Sequence, residues 1–558
     1  MALGPTSTNT KKKRIVIIGA GPAGLCALKC VLDGEGYKNG DWEVVVFEAR
    51  EDLGGVWLPA EPISSRDPPR TPLYDSLTTN LPHPLMSFPD FPFPPETPLF
   101  PRAAAVLNYL QLYARFHELH PHIQLRTQVV SVDWNKEDNE WVIGTKGEKA
   151  TNEVRDGEAE SALQTEHADL VMISNGHYGS PRFPTTPGVQ EWIDRGLATH
   201  SMWYRHPPPP PSQIKILVVG AGPSGQDLVA DFLSLSPSAL YSYTVIHSTT
   251  ASPSESVPQL NGNTLLRRPR VSLYHTLSNT ANSTVTFANG EVEEGIDHVY
   301  LATGYSYSYP FLASHILQAG YPPPLASPGG RNPILWNTSY SVHHLARHIW
   351  PVSFSPSLLP LPYPPTSLAF LALPSRVSPL PLVEAQARVS LAVFADPSLV
   401  DLQHEERLIQ ERWDEVEREG GGKGDRDTWG RWHIFQDGSE QYDYRESLST
   451  DFKLSPPHTV PSWHRELYEA KGLLRSTWRA LEGAGEWETY VMGVGRHGWD
   501  AARGGYTSEE SLKGAERGWE GVCRRVLERW EEDQGKTSDE GKGVGGSAEA
   551  ESVDLGRI

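Results

Sequence analysis

One device occurs twice in this chain, and no other feature constrains its fold as much. Ile15 to Ile18 is a short β-branched apolar run that ends in Gly19-Ala20-Gly21-Pro22-Ala23-Gly24, and an alanine- and leucine-rich helical stretch follows to about Leu32. Ile216 to Val219 runs in the same way into Gly220-Ala221-Gly222-Pro223-Ser224-Gly225, again followed by a helical pattern, Leu228 to Leu233. Each copy reads as strand, tight turn, helix. In such a unit the first glycine permits the turn, the second lets backbone approach a pyrophosphate, and the third lets helix pack on strand. The helix N-terminus favours negative charge. Two dinucleotide-binding units are therefore expected.

The two copies differ at the end of their next strand. Val44-Val45-Val46-Phe47 ends in Glu48, an acid placed to hold an adenosine ribose. Tyr243 to Ile246 leads instead into His247-Ser248-Thr249, with no carboxylate to repel a 2′-phosphate. This favours NADPH over NADH, although no arginine stands immediately at that strand end. FAD is assigned to the first site and NADP to the second.

A chain of 558 residues exceeds one ordinary core, which agrees with two units. Its formal charge of -20 argues against a nucleic-acid partner, which needs clustered Lys and Arg. Apolar runs fall short of the roughly 20 residues of a membrane span. Cys26, Cys30 and Cys523 make no disulfide framework, and Met1 to Arg14 lacks the apolar core of a signal peptide, so a reducing, cytoplasmic setting is expected. Cys26 and Cys30 share one helix face and read as packing residues, since a redox pair would usually be Cys-X-X-Cys. His343, His344 and His348 have no Asp, Glu or Cys set at ligand spacing, so no metal centre is expected.

Between the glycine turns, Trp141-Val142-Ile143 reads as the return strand of a hairpin after the turn at Lys136 to Glu140, and Gly147 to Glu166 as an exposed charged loop. Pro207 to Pro211 forms a stiff connector before the second copy. Gln403 to Glu419 reads as a surface helix with a narrow stripe of Leu408, Ile409, Trp413 and Val416. The expected domains are 13–206 as the first part of an FAD domain, 212–333 as an NADP domain, 334–480 as the second part of the FAD domain with C-terminal helices, and 535–558 as a disordered tail.

Several further motifs resemble those of the flavin-containing monooxygenases, over about Lys13 to Arg388. Gly54-Gly55-Val56-Trp57 is similar to that family's second flavin-contacting segment. Tyr74-Asp75-Ser76-Leu77-Thr78-Thr79-Asn80-Leu81-Pro82 and Phe88-Pro89-Asp90-Phe91-Pro92-Phe93-Pro94 follow it. The family pattern Phe-X-Gly-X-X-X-His-X-X-X-Tyr/Phe is matched by Gly196, His200 and Tyr204, with Asp194 in place of the first aromatic, whose space Trp192 or Ile193 would fill. Related Baeyer-Villiger enzymes have Trp then Pro or Asp where this chain has Tyr204-Arg205, which weakens a ketone-oxidising reading. Ala302-Thr303-Gly304-Tyr305 resembles the exit from an inserted domain, and Leu368-Ala369-Phe370 through Glu384-Ala385-Gln386 the return.

The resemblance implies an α/β fold of two Rossmann-like domains, the NADP domain inserted into the FAD domain. It implies cofactor contacts at Gly19, Gly21, Pro22, Ala23, Gly24, Glu48, Val56, Trp57, Thr79, Asn80, Leu81 and Gln386 for FAD. For NADP it implies Gly220, Gly222, Ser224, Gly225 and Asp227. By the same resemblance, NADPH reduces FAD, dioxygen forms a C4a-hydroperoxide, and a soft nitrogen or sulfur nucleophile takes its distal oxygen, with Asn80 as the catalytic residue. A flavin reductase or oxidase releasing hydrogen peroxide, and a regulatory nucleotide-binding protein without turnover, stay open beside this reading.

Overall fold

The computed structural model describes residues 11–64, 67–147, 163–208, 214–235, 242–250, 254–258, 261–277, 283–320, 335–343, 345–352, 361–419, 426–435, 437–457 and 459–540. In chain order the first elements are strand β1 (Lys13–Ile18), helix α1 (Pro22–Asp33), β2 (Trp42–Phe47), α2 (Ala103–Phe116), β3 (Thr127–Asn135), β4 (Glu140–Gly147), β5 (Leu163–Ala168) and β6 (Leu170–Ile173). Next come β7 (Ala198–His200), β8 (Ile214–Val219), α3 (Pro223–Ser234), β9 (Tyr243–Ser248), β10 (Glu255–Pro258), β11 (Thr264–Arg268) and β12 (His298–Leu301). The chain continues with β13 (Leu368–Phe370), α4 (Pro379–Ala395), α5 (Leu402–Glu419), α6 (Glu440–Asp451), α7 (Lys471–Ala484) and α8 (Glu509–Glu540).

The first of two compact units takes in the chain up to Leu58, Leu81–Gly176 and the part from Tyr307 on. Its parallel sheet has the order β13, β6, β1, β2 and the short strand Ile123–Gln124. The central strand explains itself: Ile15, Val16, Ile17 and Ile18 are all buried, as a β-branched run covered on both faces must be. Cys26 and Cys30 on α1 are buried in the same core. The C-terminal helices complete that core, because Trp478 on α7 and Trp519, Val522 and Val526 on α8 join one cluster with α1 and α2.

Helix α5 buries Val416 and Ile409, and also Glu405, whose carboxylate takes Nε of Arg347 at 2.8 Å. Helix α8 runs to Glu540, into the stretch expected to be without fixed structure, and residues 541–558 lie outside the described residues. The hairpin forms as expected, Asn135 opposite Glu140. The exposed loop ends sooner than expected. Leu163–Ala168 is a third strand paired to β4, and 148–162 lie outside the described residues. Its mostly polar, mostly exposed residues gave no apolar alternation to read.

The second unit comprises Pro59–Asn80 and His177–Ser306. Its sheet has the order β10, β11, β9, β8, β12, β7, parallel except for β10. Strand β7, which carries His200, hydrogen-bonds to β12, so the sheet of this unit begins ahead of the proline run. Pro209 to Pro211 lie outside the described residues. No described helix is long and apolar enough to cross a membrane.

Both units bury histidines. Burial pushes His83 and His348 of the first unit down to about 3 and His200 of the second down to about 4, from the usual 6.5. Each is neutral when folded and charges readily when unfolded, so stability is complete above pH 6.5 and falls as pH drops through 4 and 3. The melting temperature is expected to decline already between pH 6.5 and 5, where ordinary carboxylates stay ionised. A flat profile there would show that these rings take up protons without unfolding.

Candidate active site

In the first unit, Gly19 has φ of +100° and a Cβ there would lie 2.8 Å from the Ser174 carbonyl oxygen. A Cβ on Gly24 would sit 1.8 Å from the Gly19 oxygen, so the helix can meet the strand only as glycine. Helix α1 starts at Gly21 with Pro22 in its first turn and no side-chain cap, which leaves backbone N–H groups of Ala23 and Gly24 directed at the turn. The Gly54–Gly55 loop lies against this turn: Gly54 N–H donates to the Ala20 carbonyl at 3.0 Å, and a Cβ on Gly55 would come within 2.7 Å of Gly21 Cα. Val56 and Trp57 follow in a half-buried helical turn.

Glu48 is buried at the end of β2, and its oxygens accept from Ala20 N–H at 2.6 Å and Arg50 N–H at 2.9 Å. A carboxylate keeps further lone pairs after two such bonds and can still accept from a ribose hydroxyl. Arg50, also buried, ties the loop down by donating to the carbonyls of Gly55 (3.0 Å) and Leu58 (2.8 Å). Gln386, on α4, is fully buried. Its amide oxygen accepts from Ala372 N–H and its nitrogen donates to the Tyr444 hydroxyl, both at 2.9 Å. That residue therefore shapes the turn at Ala372, where φ is +62°.

The second unit repeats the geometry. A Cβ on Gly220 would lie 2.1 Å from the Ala302 oxygen and one on Gly225 2.2 Å from the Gly220 oxygen. Among the described residues nothing stands within 4 Å of where a Cβ on Gly222 would point, which leaves backbone there open to a ligand. Helix α3 begins at Gly222 with Pro223 and no side-chain cap, and Ser224 is half-buried in its first turn. Both turns thus fit a dinucleotide pyrophosphate, in the backbone they offer and the volume they leave.

Asp227, expected at the nucleotide, accepts the Tyr74 hydroxyl at 2.7 Å. This bond belongs to a set that fastens Pro59–Asn80 within the second unit. Arg205 donates to the carbonyls of Ala60 (2.7 Å) and Thr71 (3.1 Å), and to those of Met202 and Tyr204. Its own carbonyl accepts from Asp75 N–H at 2.9 Å. Asp231 accepts from Ser76 at 2.5 Å and from Tyr204 at 2.8 Å. The segment ends at Asn80, an exposed side chain between buried Thr79 and Leu81. His200 links the family pattern to the Ala-Thr-Gly segment, because its Nε2–H donates to the Gly304 carbonyl at 2.9 Å. Trp192 is buried, its Nε1–H donating to the His275 carbonyl.

The histidines singled out in the sequence serve packing. His343 stacks edge-on against Trp429, and His348 Nδ1 lies 3.0 Å from His433 Nδ1. His344 lies outside the described residues, among which no group of three or more metal-ligating side chains occurs. Sequence reasoning missed Arg205, Tyr74 and Asp231. Tyr74 and Arg205 stand in motifs read from the sequence, which carry no signal of what these side chains hold.

Two Rossmann-type sheets, the second inserted into the chain of the first and each carrying a glycine turn, define an oxidoreductase of the two-dinucleotide class. The family model described as flavin-binding monooxygenase-like matches residues 12–251 and 261–320, more than half of the chain. The chain belongs to that family, and it is a flavin monooxygenase. It is 27% identical to the flavin-containing monooxygenase FMO GS-OX5 of Arabidopsis thaliana over 81% of this chain and 92% of the relative. It is also 27% identical to the thiol-specific monooxygenase of Saccharomyces cerevisiae, over 69% and 78%. The solved structure of S-allyl-L-cysteine S-oxygenase from Allium sativum superposes with a TM-score of 0.63 at 23% identity, covering 91% of this chain and 98% of that one, and shares the fold.

Proposed function

We propose that this chain is an FAD-dependent, NADPH-consuming monooxygenase that places one oxygen atom on a soft sulfur or nitrogen nucleophile. The observation that carries this reading is the pair of congruent glycine turns, one followed by buried Glu48 and the other by His247. The thiol-specific relative supports sulfur as the acceptor atom, and the resemblance to the flavin-containing monooxygenases extends the reading to amines.

The first turn would hold the FAD pyrophosphate on backbone N–H groups at the start of α1, with Glu48 accepting from the ribose. The second would hold NADP at Gly222 and Ser224. Bound FAD, reduced by NADPH, would supply the activation of dioxygen. The protein's own share is to position and shield. Asn80 offers an exposed amide with two donors and an acceptor, at the end of a segment held by Arg205, Tyr74 and Ser76. No side-chain nucleophile is required.

The test is NADPH consumption by FAD-loaded protein with a panel of thiols, sulfides and tertiary amines, following product and peroxide together. Product is expected to match NADPH used. In Asn80→Ala, loss of one donor at the reacting oxygen is expected to cut product formation about 10²-fold, with peroxide rising in its place. NADPH oxidation ending wholly as peroxide in the unaltered protein would mark an oxidase, and none at all would sink both enzymatic readings.

A further inference from the structure

The end of β9 offers His247 and Ser248 where a dinucleotide fold meets the adenosine ribose, and neither side chain is a fixed cation. The neighbouring strand supplies one. Strands β9 and β11 pair in parallel with His247 directly opposite Arg267 and Ser248 opposite Arg268. Partners in a parallel register project to the same side, so Arg267 shares the face of His247. That is the face of the glycine turn, because the His247 Nε2–H donates to the Gly220 carbonyl at 2.9 Å. Burial lowers the His247 pKa, and the nearby Arg267 charge lowers it further, which agrees with the two side chains lying close together.

The two arginines differ in what holds them. Arg268, with its side chain 15% exposed, is committed to Glu291 at 3.2 Å and Glu293 at 2.8 Å, and donates to the Glu255 carbonyl. Arg267 meets the Glu255 carboxylate at 2.7 Å in a pair whose side chains are each 39% exposed. Such a pair is worth at most about 1 kcal/mol, so a phosphate can displace the carboxylate. A guanidinium presents a planar fork of donors that matches a phosphate.

We propose that Arg267 is the residue that grips the 2′-phosphate of NADP, delivered from the strand beside the one that ends at the ribose, with Glu255 as the counter-ion it leaves. This rests on the reading of the second glycine turn as the NADP site. The contact selects NADPH over NADH, and Glu255 tunes that selection by competing for the same guanidinium.

The experiment is equilibrium binding of adenosine 2′,5′-bisphosphate and of AMP to the FAD-loaded full chain, with KM for NADPH and NADH measured beside it. The unaltered protein is expected to prefer the bisphosphate. In Arg267→Ala that preference is expected to fall by about tenfold or more, with AMP binding unchanged, as for loss of a charged hydrogen bond. Arg267→Lys should keep part of the preference. Glu255→Gln should raise bisphosphate affinity by roughly two- to fivefold, a gain that a misfolded variant would not show. An Arg267→Ala protein that melts like the parent and keeps the preference overturns the proposal. A parent that binds neither nucleotide overturns the NADP reading itself, and with it the role of Arg267.

Discussion

Gly24→Ala is expected to give a protein that no longer retains flavin. The added methyl would stand 1.8 Å from the Gly19 oxygen and 2.9 Å from its carbon, both backbone atoms. Gly19 cannot retreat, because its own Cα already faces the Ser174 carbonyl and its N–H is bound to Phe47 at 2.8 Å. Relief has to come from moving α1 away from β1, and that displaces the N–H groups of the turn from a pyrophosphate. Overpacking of this kind costs about 1–3 kcal/mol and more where backbone must shift. A loss of FAD affinity of more than about tenfold follows from a mismatch of only ~1.4 kcal/mol.

Gly225→Ala makes the same collision in the second unit, 2.2 Å from the Gly220 oxygen. It is expected to spare flavin content and to abolish NADPH oxidation. Flavin absorbance per protein and NADPH consumption, measured on both variants, read the two turns separately. A Gly24→Ala protein with full flavin content would show that the first turn does not hold FAD.

Arg205→Ala carries the second large effect. One half-buried guanidinium donates to carbonyls at Ala60, Thr71, Met202 and Tyr204, and its removal takes all of these bonds away. Hydrogen bonds from a charged group contribute about 1.5–3 kcal/mol each and do not add, so a loss of roughly 3–5 kcal/mol is expected. Lysine cannot replace it, since one ammonium cannot span four acceptors from two segments.

The functional consequence runs through Asn80. With the Arg205 side chain gone, Pro59–Asn80 keeps Tyr74 on Asp227, Ser76 on Asp231, Trp203 on the Ser64 carbonyl and the Asp75 N–H on the backbone carbonyl of position 205. Product per NADPH is expected to fall by about tenfold, with peroxide making up the difference. If only the melting temperature falls and the ratio of product to NADPH holds, the segment is a structural strap and does not position Asn80.

What could be read in the sequence shares one property: its physical cause is local. The β-branched run Ile15 to Ile18 leaves a contiguous pattern, and so do the turns Gly19 to Gly24 and Gly220 to Gly225, where the third glycine meets the oxygen of the first. Glu48, which bonds Ala20 28 residues away, is legible instead from its fixed place at the end of the next strand. The hairpin at Asn135 and Glu140 belongs to the same class. Strand β5 did not announce itself, because an edge strand of mostly polar, mostly exposed residues carries no apolar alternation.

The tertiary structure alone decided the rest. Arg205 finds Ala60 and Thr71 more than a hundred residues away along the chain, and Gln386 meets Tyr444 on a later helix. Trp519 joins a core begun by α1. Arg267 comes to face His247 only through the register of two parallel strands. Such partners are set by the path of the chain between them, which no short window of sequence records. The sequence determined that two glycine turns of dinucleotide-binding form could be built, and only the packed chain decided which side chains stand around them.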